Sequence, residues 1–325
     1  MKKITILVPA YNEQEVIDQL YDRLNKVIDT VPNYEFEILF VNDGSRDNTV
    51  QIIKSLRAFD KRISYVDLSR NFGKETAMIA GLDYATGDAV IILDADLQDP
   101  PELIPEMIKY WEEGYDDIYA KRRNRAGETW FKKWTANTFY KVLQKTTRIP
   151  IQQNTGDFRL LDRRCVEALK QLRETQRYTK GMFSWIGYQK KEILFDRDPR
   201  AAGETKWNYL KLLDLAIEGI TSFTTAPLRI SAFFGFVISF FSFIYMIWII
   251  TKTLVFGESV QGYPSLMTIM LFMGGIQLIS LGIIGEYLGR IFNETKRRPL
   301  YFVHEYNDEK VQNEMKQASL PKRGV

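Results

Sequence analysis

Two long stretches without a charged side chain lie in the last third of this 325-residue chain. The first runs from Ile230 to Thr251 and the second from Ser259 to Gly285. Each is long enough to cross a hydrocarbon core, which takes about 20 apolar residues in a helix. Buried helices of a soluble domain are the alternative, but such helices are rarely apolar on every face. The sequence therefore predicts two transmembrane helices within residues 229–290.

Basic residues flank these two stretches on their outer sides. They are Lys206, Lys211 and Arg229 before the first stretch, and Lys296, Arg297 and Arg298 after the second. The connecting segment holds only Lys252 and Glu258. Cytoplasmic flanks carry the excess of Lys and Arg, so both ends of the chain are expected in the cytoplasm. The prediction is a multi-pass protein of the inner (plasma) membrane whose N-terminal domain is cytoplasmic.

The segments on either side of the predicted spans are polar or amphipathic. Within residues 201–228, apolar side chains recur at helical spacing, which predicts a helix lying in the membrane interface. These side chains are Trp207, Leu210, Leu213, Ile217 and Ile220. Residues 291–325 are predicted to be a cytoplasmic tail, polar and poorly ordered from about Tyr306 onward.

The chain has one cysteine, Cys165, and one histidine, His304. The single cysteine excludes an intramolecular disulfide framework and a thiolate zinc cluster. The single histidine makes His-Cys-Asp triads, His-Glu-x-x-His zinc sites and most imidazole general-base catalysis improbable. The net charge of +3 is too small to indicate nucleic-acid binding. Catalysis by this chain is expected to rest on carboxylates, arginines, lysines and a hard metal ion.

Residues 1–200 alternate strand-like and helix-like segments, the pattern of an α/β fold with a mostly parallel sheet covered by helices. The strands are predicted at Lys3–Val8, Glu37–Val41, Ile63–Leu68 and Ala89–Leu93, with helices around 13–30, 46–59 and 73–86. Such sheets bind ligands beyond the carboxyl ends of their strands.

Polar segments follow the first two predicted strands, at Pro9–Glu13 and Asn42–Ser45. Both are also typical of plain turns and helix caps, so each alone leaves that alternative open. No Gly-x-Gly-x-x-Gly follows the first strand, and the usual dinucleotide motif is therefore missing. Side chains could hold a nucleotide instead: Asp43 can accept from the N3–H of a pyrimidine, and Glu13 from a ribose hydroxyl.

The fourth predicted strand leads directly into Asp94-Ala95-Asp96-Leu97-Gln98-Asp99. In an extended segment, Asp94, Asp96 and Gln98 would point to one side and bring their oxygens together. Oxygen ligands of this kind suit Mg²⁺ or Mn²⁺. The alternative, a helix start capped by Asp99, explains Asp99 and the following prolines but not the two aspartates before it.

Together these motifs and the two spans resemble family 2 glycosyltransferases of the GT-A (Rossmann-like) fold. Bacterial polyprenyl-phosphate (bactoprenol) glycosyltransferases and dolichol-phosphate mannose synthases are the most similar members, over about residues 3–295. The resemblance implies that Asp43 contacts the base, Asp94 the ribose and pyrophosphate region, and Asp96 with Gln98 the metal. It also places Pro9, Tyr11 and Glu13 at the donor nucleotide.

A run of basic residues follows the predicted strand Asp117–Ala120. Nine basic residues and one acid, Glu128, lie between Lys121 and Arg148. Such a run of basic residues is usually a solvated surface, but it could instead contact an anionic membrane surface. The resemblance implies that Arg122 grips the phosphate of the lipid acceptor, with Lys132 or Lys133 as further candidates.

Two later segments complete the predicted site. Asp157 is either a structural partner of Arg159 or a carboxylate near the acceptor, acting as a general base or an orienting group. The segment Arg200–Trp207 looks like the family's flexible acceptor loop, with Arg200, Thr205 and Lys206 as contacts, although a plain linker stays open.

The predicted reaction is inverting transfer of one sugar to polyprenyl (undecaprenyl) phosphate at the cytoplasmic membrane face, with UDP-glucose favoured as donor. A processive polysaccharide synthase is one alternative, but it would be expected to have more spans and a Gln-x-x-Arg-Trp motif. A non-catalytic membrane scaffold is another, and it would be expected to have lost the metal ligands. No nucleic-acid partner is expected, and glycines such as Gly274 and Gly282 leave a homo-oligomer open.

Overall fold

The computed structural model describes residues 1–123, 155–175, 177–196, 224–256 and 262–311. The described residues fall into two compact units. One holds the residues up to Asp196 together with those from Pro299 onward. The other holds the residues from Thr224 to Arg298. The first is an α/β unit and the second is a pair of long helices.

One sheet organises the α/β unit, and nine strands of the described residues belong to it. They are β1 (Lys3–Ala10), β2 (Glu35–Asn42), β3 (Ile63–Leu68), β4 (Ala89–Ile92), β5 (Asp117–Arg122), β6 (Thr155–Asp162), β7 (Lys190–Phe195), β8 (Val303–Tyr306) and β9 (Glu309–Lys310). Their order across the sheet is β7-β5-β6-β4-β1-β2-β3-β8-β9.

The centre of the sheet is parallel and its flanks are mixed. Strands β4, β1, β2 and β3 run parallel to one another, as the sequence predicts for these four. Strand β6 is antiparallel to both β4 and β5, whereas β7 is parallel to β5. The expectation of a mostly parallel sheet therefore holds for the centre, and the complete sheet is a mixed one.

The helices of this unit connect the strands and cover the sheet. They are α1 (Ile17–Ile28), α2 (Thr49–Phe59), α3 (Lys74–Tyr84), α4 (Ile104–Glu112), α5 (Arg163–Gln171) and α6 (Thr179–Trp185), with a short 3-10 turn at Pro101–Leu103. Helix α1 buries Ile17, Leu20, Leu24 and Val27, the spacing of one helical face. Strands β1 and β4 are buried along nearly their whole length, as expected where both faces of a sheet are covered.

Helix α3 lies directly against β1 at Gly81. A methyl group at Gly81 would come within 2.0 Å of Leu7 Cδ1, well inside van der Waals contact. The glycine therefore lets the helix approach the strand, and this sets the position of the amino end of α3. That end lies at the carboxyl edge of the sheet, where the candidate site is.

The chain returns to the sheet after the second long helix. Strand β8 pairs antiparallel with β3. Lys54 Nζ donates to the Glu305 carboxylate at 2.8 Å, and the Tyr65 hydroxyl contacts Glu305 at 2.5 Å. Residues as far as Lys310 are therefore ordered in strands, and the prediction of an unstructured tail from Tyr306 is wrong for this part of it.

The second unit consists of α7 (Ala226–Phe256) and α8 (Tyr263–Thr295). Both are long and apolar enough to cross a membrane, by the segments Pro227–Ile249 and Phe272–Thr295. Ser231 and Ser280 join the two helices by a hydroxyl hydrogen bond of 2.8 Å. Helix α7 contains its predicted span and extends four residues before it and five after it. Helix α8 continues ten residues beyond the predicted end at Gly285. The predicted interfacial helix lies outside the described residues.

Candidate active site

The loops that follow β1 and β2 are joined by reciprocal hydrogen bonds. The Asn12 backbone N–H donates to Ser45 Oγ at 2.9 Å, and the Arg46 N–H donates to Asn12 Oδ1 at 2.8 Å. Asn12 has a φ of 56°, a left-handed conformation that asparagine tolerates. Asn12 and Ser45 therefore stabilise the turns after β1 and β2, which is the alternative that the sequence left open for these motifs.

The predicted donor residues of the first motif lie beside this joined loop. Tyr11 is exposed, and Pro9 and Glu13 are half-buried. The Glu13 backbone N–H donates to Thr49 Oγ1 at 2.9 Å. All three residues stand at the carboxyl edge of the parallel strands, where an α/β sheet binds its ligand.

Asp43 connects the loop after β2 to the loop before α3. Its two carboxylate oxygens accept the backbone N–H groups of Phe72 at 2.7 Å and Gly73 at 2.9 Å. The side chain is 3% exposed, and burial raises the pKa of Asp43 although these two hydrogen bonds oppose the rise. Each carboxylate oxygen has a second lone pair, so these bonds leave room for a further donor.

Gly44 makes this loop contact possible. Its φ is +64°, and a Cβ there would lie 2.4 Å from the Arg70 carbonyl carbon and 2.5 Å from the Asn71 nitrogen. Only glycine fits both the left-handed conformation and this approach of backbone to backbone. The loops after β1, β2 and β3 therefore form one connected surface at the edge of the sheet.

The Lys74 ammonium joins two aspartates that lie far apart in the sequence. Lys74 Nζ is 2.7 Å from the Asp94 carboxylate and 2.6 Å from Asp157 Oδ2. Asp94 follows β4, Asp157 lies in β6, and Lys74 begins α3. The structure therefore brings the predicted residues Asp94 and Asp157 together.

Sequence reasoning missed Lys74 itself. The signal was available, since Lys74 follows Gly73 at the point where the third predicted strand gives way to a helix. The rule that directed attention to the ends of strands one, two and four applies equally to strand three.

The electrostatics of this cluster keep Asp157 ionised. Burial raises the pKa of Asp157, but the charges of Lys74 and Lys180 outweigh it and hold the pKa at about 2. Burial likewise lowers the pKa of Lys74, and the two carboxylates more than reverse this, so its pKa is raised. Lys74 and Asp157 are thus charged throughout the neutral pH range.

The residues predicted to hold the metal lie in a turn rather than in an extended segment. Strand β4 ends at Ile92, and Leu97 has a left-handed φ of 60°. The prediction of an extended segment here is wrong, because the chain forms a turn at Ala95 and Asp96 and Leu97 is left-handed. Burial nevertheless alternates, so that Asp94, Asp96 and Gln98 are partly exposed while the residues between them are buried.

The donor set at this turn fits a hard cation. Asp96 Oδ1 accepts the Gln98 backbone N–H at 3.2 Å, which holds the carboxylate and the amide residue in one turn. Both side chains supply oxygen, the ligand atom that Mg²⁺ and Mn²⁺ prefer, and both reach solvent from which an ion can enter.

Arg122 and Asp99 lie beside the segment that contains Asp157. Arg122 Nη2 is 3.6 Å, and Asp99 Oδ2 3.9 Å, from the place where a Cβ of Gly156 would stand. The 3-10 turn after Asp99 has no side-chain cap, so the structure does not support the alternative in which Asp99 caps a helix start. The predicted phosphate-binding arginine therefore adjoins the predicted acceptor carboxylate.

Arg159 has a different partner from the one considered for it. Arg159 and Asp117 are both fully buried, and Arg159 Nη1 lies 3.1 Å from Asp117 Oδ2. The guanidinium also lies over the Phe183 ring, 3.7 Å from its centroid. Arg159 thus forms its buried ion pair with Asp117, and Asp157 forms one with Lys74.

A further polar group lies at the opposite side of the site region, where β8 pairs with β3. Asp67, His304 and Glu305 could place one ligand atom each within 4.8 Å of one another. Asp67 already accepts from Asn42 Nδ2 at 2.6 Å, and Glu305 from Lys54 at 2.8 Å. Asp67 is thus engaged in joining β3 to β2, and Glu305 in holding β8 to α2 and β3.

Several predicted residues lie outside the described residues. They are Arg200, Thr205 and Lys206 of the acceptor loop, and Lys132 and Lys133 of the basic run. Their roles stay predictions.

Two family models match this chain. The model for glycosyl transferase family 2 matches residues 5–170, and the model for the GtrB C-terminal hairpin matches residues 226–291. The second range contains α7 and most of α8. Family membership thus covers both units of the structure.

Similar proteins extend over nearly the whole chain. An uncharacterized glycosyltransferase of Synechocystis is 52% identical over 93% of this chain and 94% of its own length. A prophage bactoprenol glucosyl transferase homolog of Escherichia coli is 46% identical over 93% of this chain and 98% of its own. The bactoprenol glucosyl transferase of Shigella phage SfV is 47% identical over the same shares. This chain therefore belongs to glycosyl transferase family 2, as a GT-A-like glycosyltransferase with a GtrB C-terminal hairpin.

Proposed function

We propose that this protein transfers one glucose from UDP-glucose to a polyprenyl phosphate, undecaprenyl phosphate in a bacterium, with inversion at the anomeric carbon. The observation that carries the proposal is the contact of Lys74 with both Asp94 and Asp157. It joins the carboxylate assigned to the donor to the one assigned to the acceptor. Relatives named bactoprenol glucosyl transferase support the choice of glucose and lipid.

The donor lies at the carboxyl edge of the parallel strands in this proposal. Pro9, Tyr11 and Glu13 border the nucleoside, and Asp43 accepts from the base with a lone pair not used by Phe72 and Gly73. Asp94 faces the ribose and pyrophosphate. The Lys74 ammonium beside it supplies positive charge next to the anionic diphosphate.

The acceptor lies on the other side of Lys74, next to Asp157 and Arg122. Arginine suits a phosphate because its planar fork binds two oxygens at once. A carboxylate whose pKa is about 2 is a poor proton acceptor near neutral pH. The lipid phosphate is already anionic there, so Asp157 orients the attacking oxygen and does not need to deprotonate it.

Asp96 and Gln98 would hold Mg²⁺ or Mn²⁺. When bound, such an ion stabilises the negative charge that develops on a departing diphosphate. The protein has no nearby histidine to serve as a proton donor, since His304 lies on β8. Stabilisation of the departing diphosphate by a metal ion, without a proton donor from the protein, is therefore consistent with the residues of the site.

The membrane arrangement follows from chain connectivity. Strands β7 and β8 belong to one sheet, and the two apolar helices lie between them in the sequence. If both helices cross the bilayer, the chain must leave and return on the same side. In this proposal that side is the cytoplasm, where UDP-sugars are available to the enzyme, and the basic residues that flank the helices support this orientation. Arg200, Thr205 and Lys206 then lie in the segment that leads from the sheet to the membrane.

The proposal is tested with the purified full-length protein in detergent or nanodiscs. Undecaprenyl phosphate, Mg²⁺ or Mn²⁺ and a panel of labelled UDP- and GDP-sugars are supplied, and label entering the lipid phase is counted. We expect transfer from UDP-glucose, one sugar per lipid, and loss of transfer on chelation of the metal. Asp96→Ala is expected to abolish transfer, whereas Asp22→Asn, an exposed change on α1, is expected to leave it intact.

Three results would contradict the proposal. Transfer from another donor in preference to UDP-glucose would change the sugar, and a product with several sugars per lipid would favour a processive synthase. Nucleotide binding without transfer to any lipid would favour the non-catalytic scaffold.

A further inference from the structure

Glu75 joins the amino end of α3 to the amino end of α6. Its Oε2 accepts the backbone N–H of Thr179 at 2.9 Å. Glu75 directly follows Lys74, and Thr179 directly precedes Lys180. Lys74 and Lys180 are the two lysines whose charges lower the pKa of Asp157 most. This one hydrogen bond therefore fixes the starts of α3 and α6, which carry these lysines, relative to each other.

The surroundings of Glu75 contain both charges and an apolar wall. The charges of Asp157, Lys74 and Lys180 act on the pKa of Glu75. The charge of Glu75 in turn acts to raise the pKa of Arg177, which burial lowers. The carboxyl group also lies at a small cavity whose wall is mostly apolar, formed in part by Met78, Ile79, Met182 and Phe183. Burial there, with the charge of Asp157, raises the pKa of Glu75 to about 7.

We infer that Glu75 is a positioning residue that must be neutral for the site to accept its anionic lipid substrate. In the neutral form it still accepts from Thr179, and the negative charges beside Lys74 and Lys180 are those of Asp94 and Asp157. In the ionised form it adds a third negative charge to this group. The inference rests on the proposed function, because it takes the phosphate of the acceptor to bind next to Asp157.

The physical reason is the charge balance around Asp157. Lys74 already serves Asp94 and Asp157, so an ionised Glu75 would compete for the same two lysines. A like charge that shifts the pKa of a neighbouring group by about one unit repels it by the free energy of an approximately tenfold weakening of binding. The acceptor KM should therefore rise about tenfold as Glu75 ionises, whereas the donor, on the far side of Lys74, should be affected less.

The first measurement is the acceptor KM and kcat of the full-length enzyme between pH 5.5 and 8.5. Glu75→Gln is the test variant, because it keeps an oxygen for the Thr179 N–H but cannot ionise. The acceptor phosphate itself loses a proton near pH 6, so the two proteins are compared at each pH. We expect the ratio of the wild-type acceptor KM to that of Glu75→Gln to rise by about tenfold above pH 7. Glu75→Asp keeps the acid and is expected to keep the pH dependence. Glu106→Gln, on the exposed side of α4, is the matched control and should follow the wild type.

The second measurement does not depend on sugar transfer. A carboxyl group whose pKa is higher in the folded than in the unfolded state stabilises the fold fully below its unfolded pKa. That contribution is lost as the pH rises through about 7. The Tm of the wild type relative to Glu75→Gln should therefore fall, by about 5 °C, between pH 5 and pH 8. Glu106→Gln should show no such trend.

The two measurements separate the possible failures. A Tm difference that does not change with pH would show that Glu75 does not titrate near neutrality, and would overturn the inference. If the Tm difference changes with pH but the wild type and Glu75→Gln have the same dependence of acceptor KM on pH, Glu75 is only a structural contact of α6. That result would also overturn the inference. A changing Tm difference in a protein that transfers no sugar would contradict the proposed function instead.

Discussion

Lys74 Nζ lies 2.6 Å from Asp157 Oδ2, although 83 residues separate them in the sequence. The lysine comes from the start of α3 and the aspartate from β6, so the contact links two parts of the sheet edge. The same ammonium also reaches Asp94. Lys74 therefore holds the two carboxylates of the candidate site, Asp94 and Asp157, against one ammonium group.

Replacing Lys74 should impair catalysis more than folding. In Lys74→Met, Asp94 and Asp157 lose their common cation, and the two carboxylates then repel each other. We expect kcat/KM to fall about 100-fold, the size typical of removing one electrostatic group from an active site. Steady-state transfer of labelled glucose measures this, and Lys109→Met on the exposed side of α4 is the control. An unchanged kcat/KM in Lys74→Met would remove Lys74 from the site.

The same lysine should set the acid limit of activity. Lys74 and Lys180 hold the pKa of Asp157 at about 2, so the wild type should keep Asp157 ionised at all pH values above about 3. Without Lys74, burial dominates and the pKa of Asp157 rises. Activity that depends on the ionised form is then lost as the pH falls, at a higher pH than in the wild type.

The pH–rate profiles of wild type, Lys74→Met and Lys74→Arg between pH 4 and 8 check this shift. We expect Lys74→Arg to keep the wild-type acid limit, because it keeps the charge. If the residual activity of Lys74→Met has the same acid limit as the wild type, Asp157 is not the group controlled by Lys74.

How much of this site the sequence could predict depends on how local each signal is. Strands β1, β2 and β4 each contain a run of apolar residues that is followed by polar ones. The sequence therefore predicts both the strands and the edge where Asp43, Asp94 and Asp96 lie. The two long apolar helices carry an equally local signal. The turn at Leu97 was missed because nothing in its sequence requires a left-handed residue.

Long-range contacts gave no such signal. Strand β8 is four residues long, and its place beside β3 depends on bonds such as Lys54 to Glu305, 251 residues apart. Arg159 pairs with Asp117 and not with the nearby Asp157 for a similar reason, since the antiparallel pairing of β5 and β6 brings residues 42 positions apart together. Sequence spacing alone ranks the near partner first.

The buried pair of Arg159 and Asp117 should matter for stability. Arg159→Met leaves a fully buried carboxylate with Lys190, at 3.7 Å, as its remaining cation among the described residues. Breaking a buried pair on one side typically costs about 3–5 kcal/mol. Urea or thermal unfolding of the full-length protein measures the change. Arg123→Ala breaks an exposed pair with Asp196, and should cost less than about 1 kcal/mol. Equal effects of the two substitutions would contradict the assignment.

Gly44 offers a test of the connected loops, with a control supplied by the chain itself. Gly44 and Gly114 both have positive φ values, +64° and +98°, but only Gly44 has backbone atoms where a Cβ would stand. Gly114→Ala should therefore cost only the conformational strain, about 1–2 kcal/mol, and leave donor binding unchanged. Gly44→Ala must also push the loop of Arg70 and Asn71 away, which displaces the N–H groups that hold Asp43. We expect weaker binding of UDP-glucose, by about tenfold or more, measured by calorimetry at a temperature where both variants are folded. Equal donor affinity in the two variants would show that the position of Asp43 does not govern nucleotide binding.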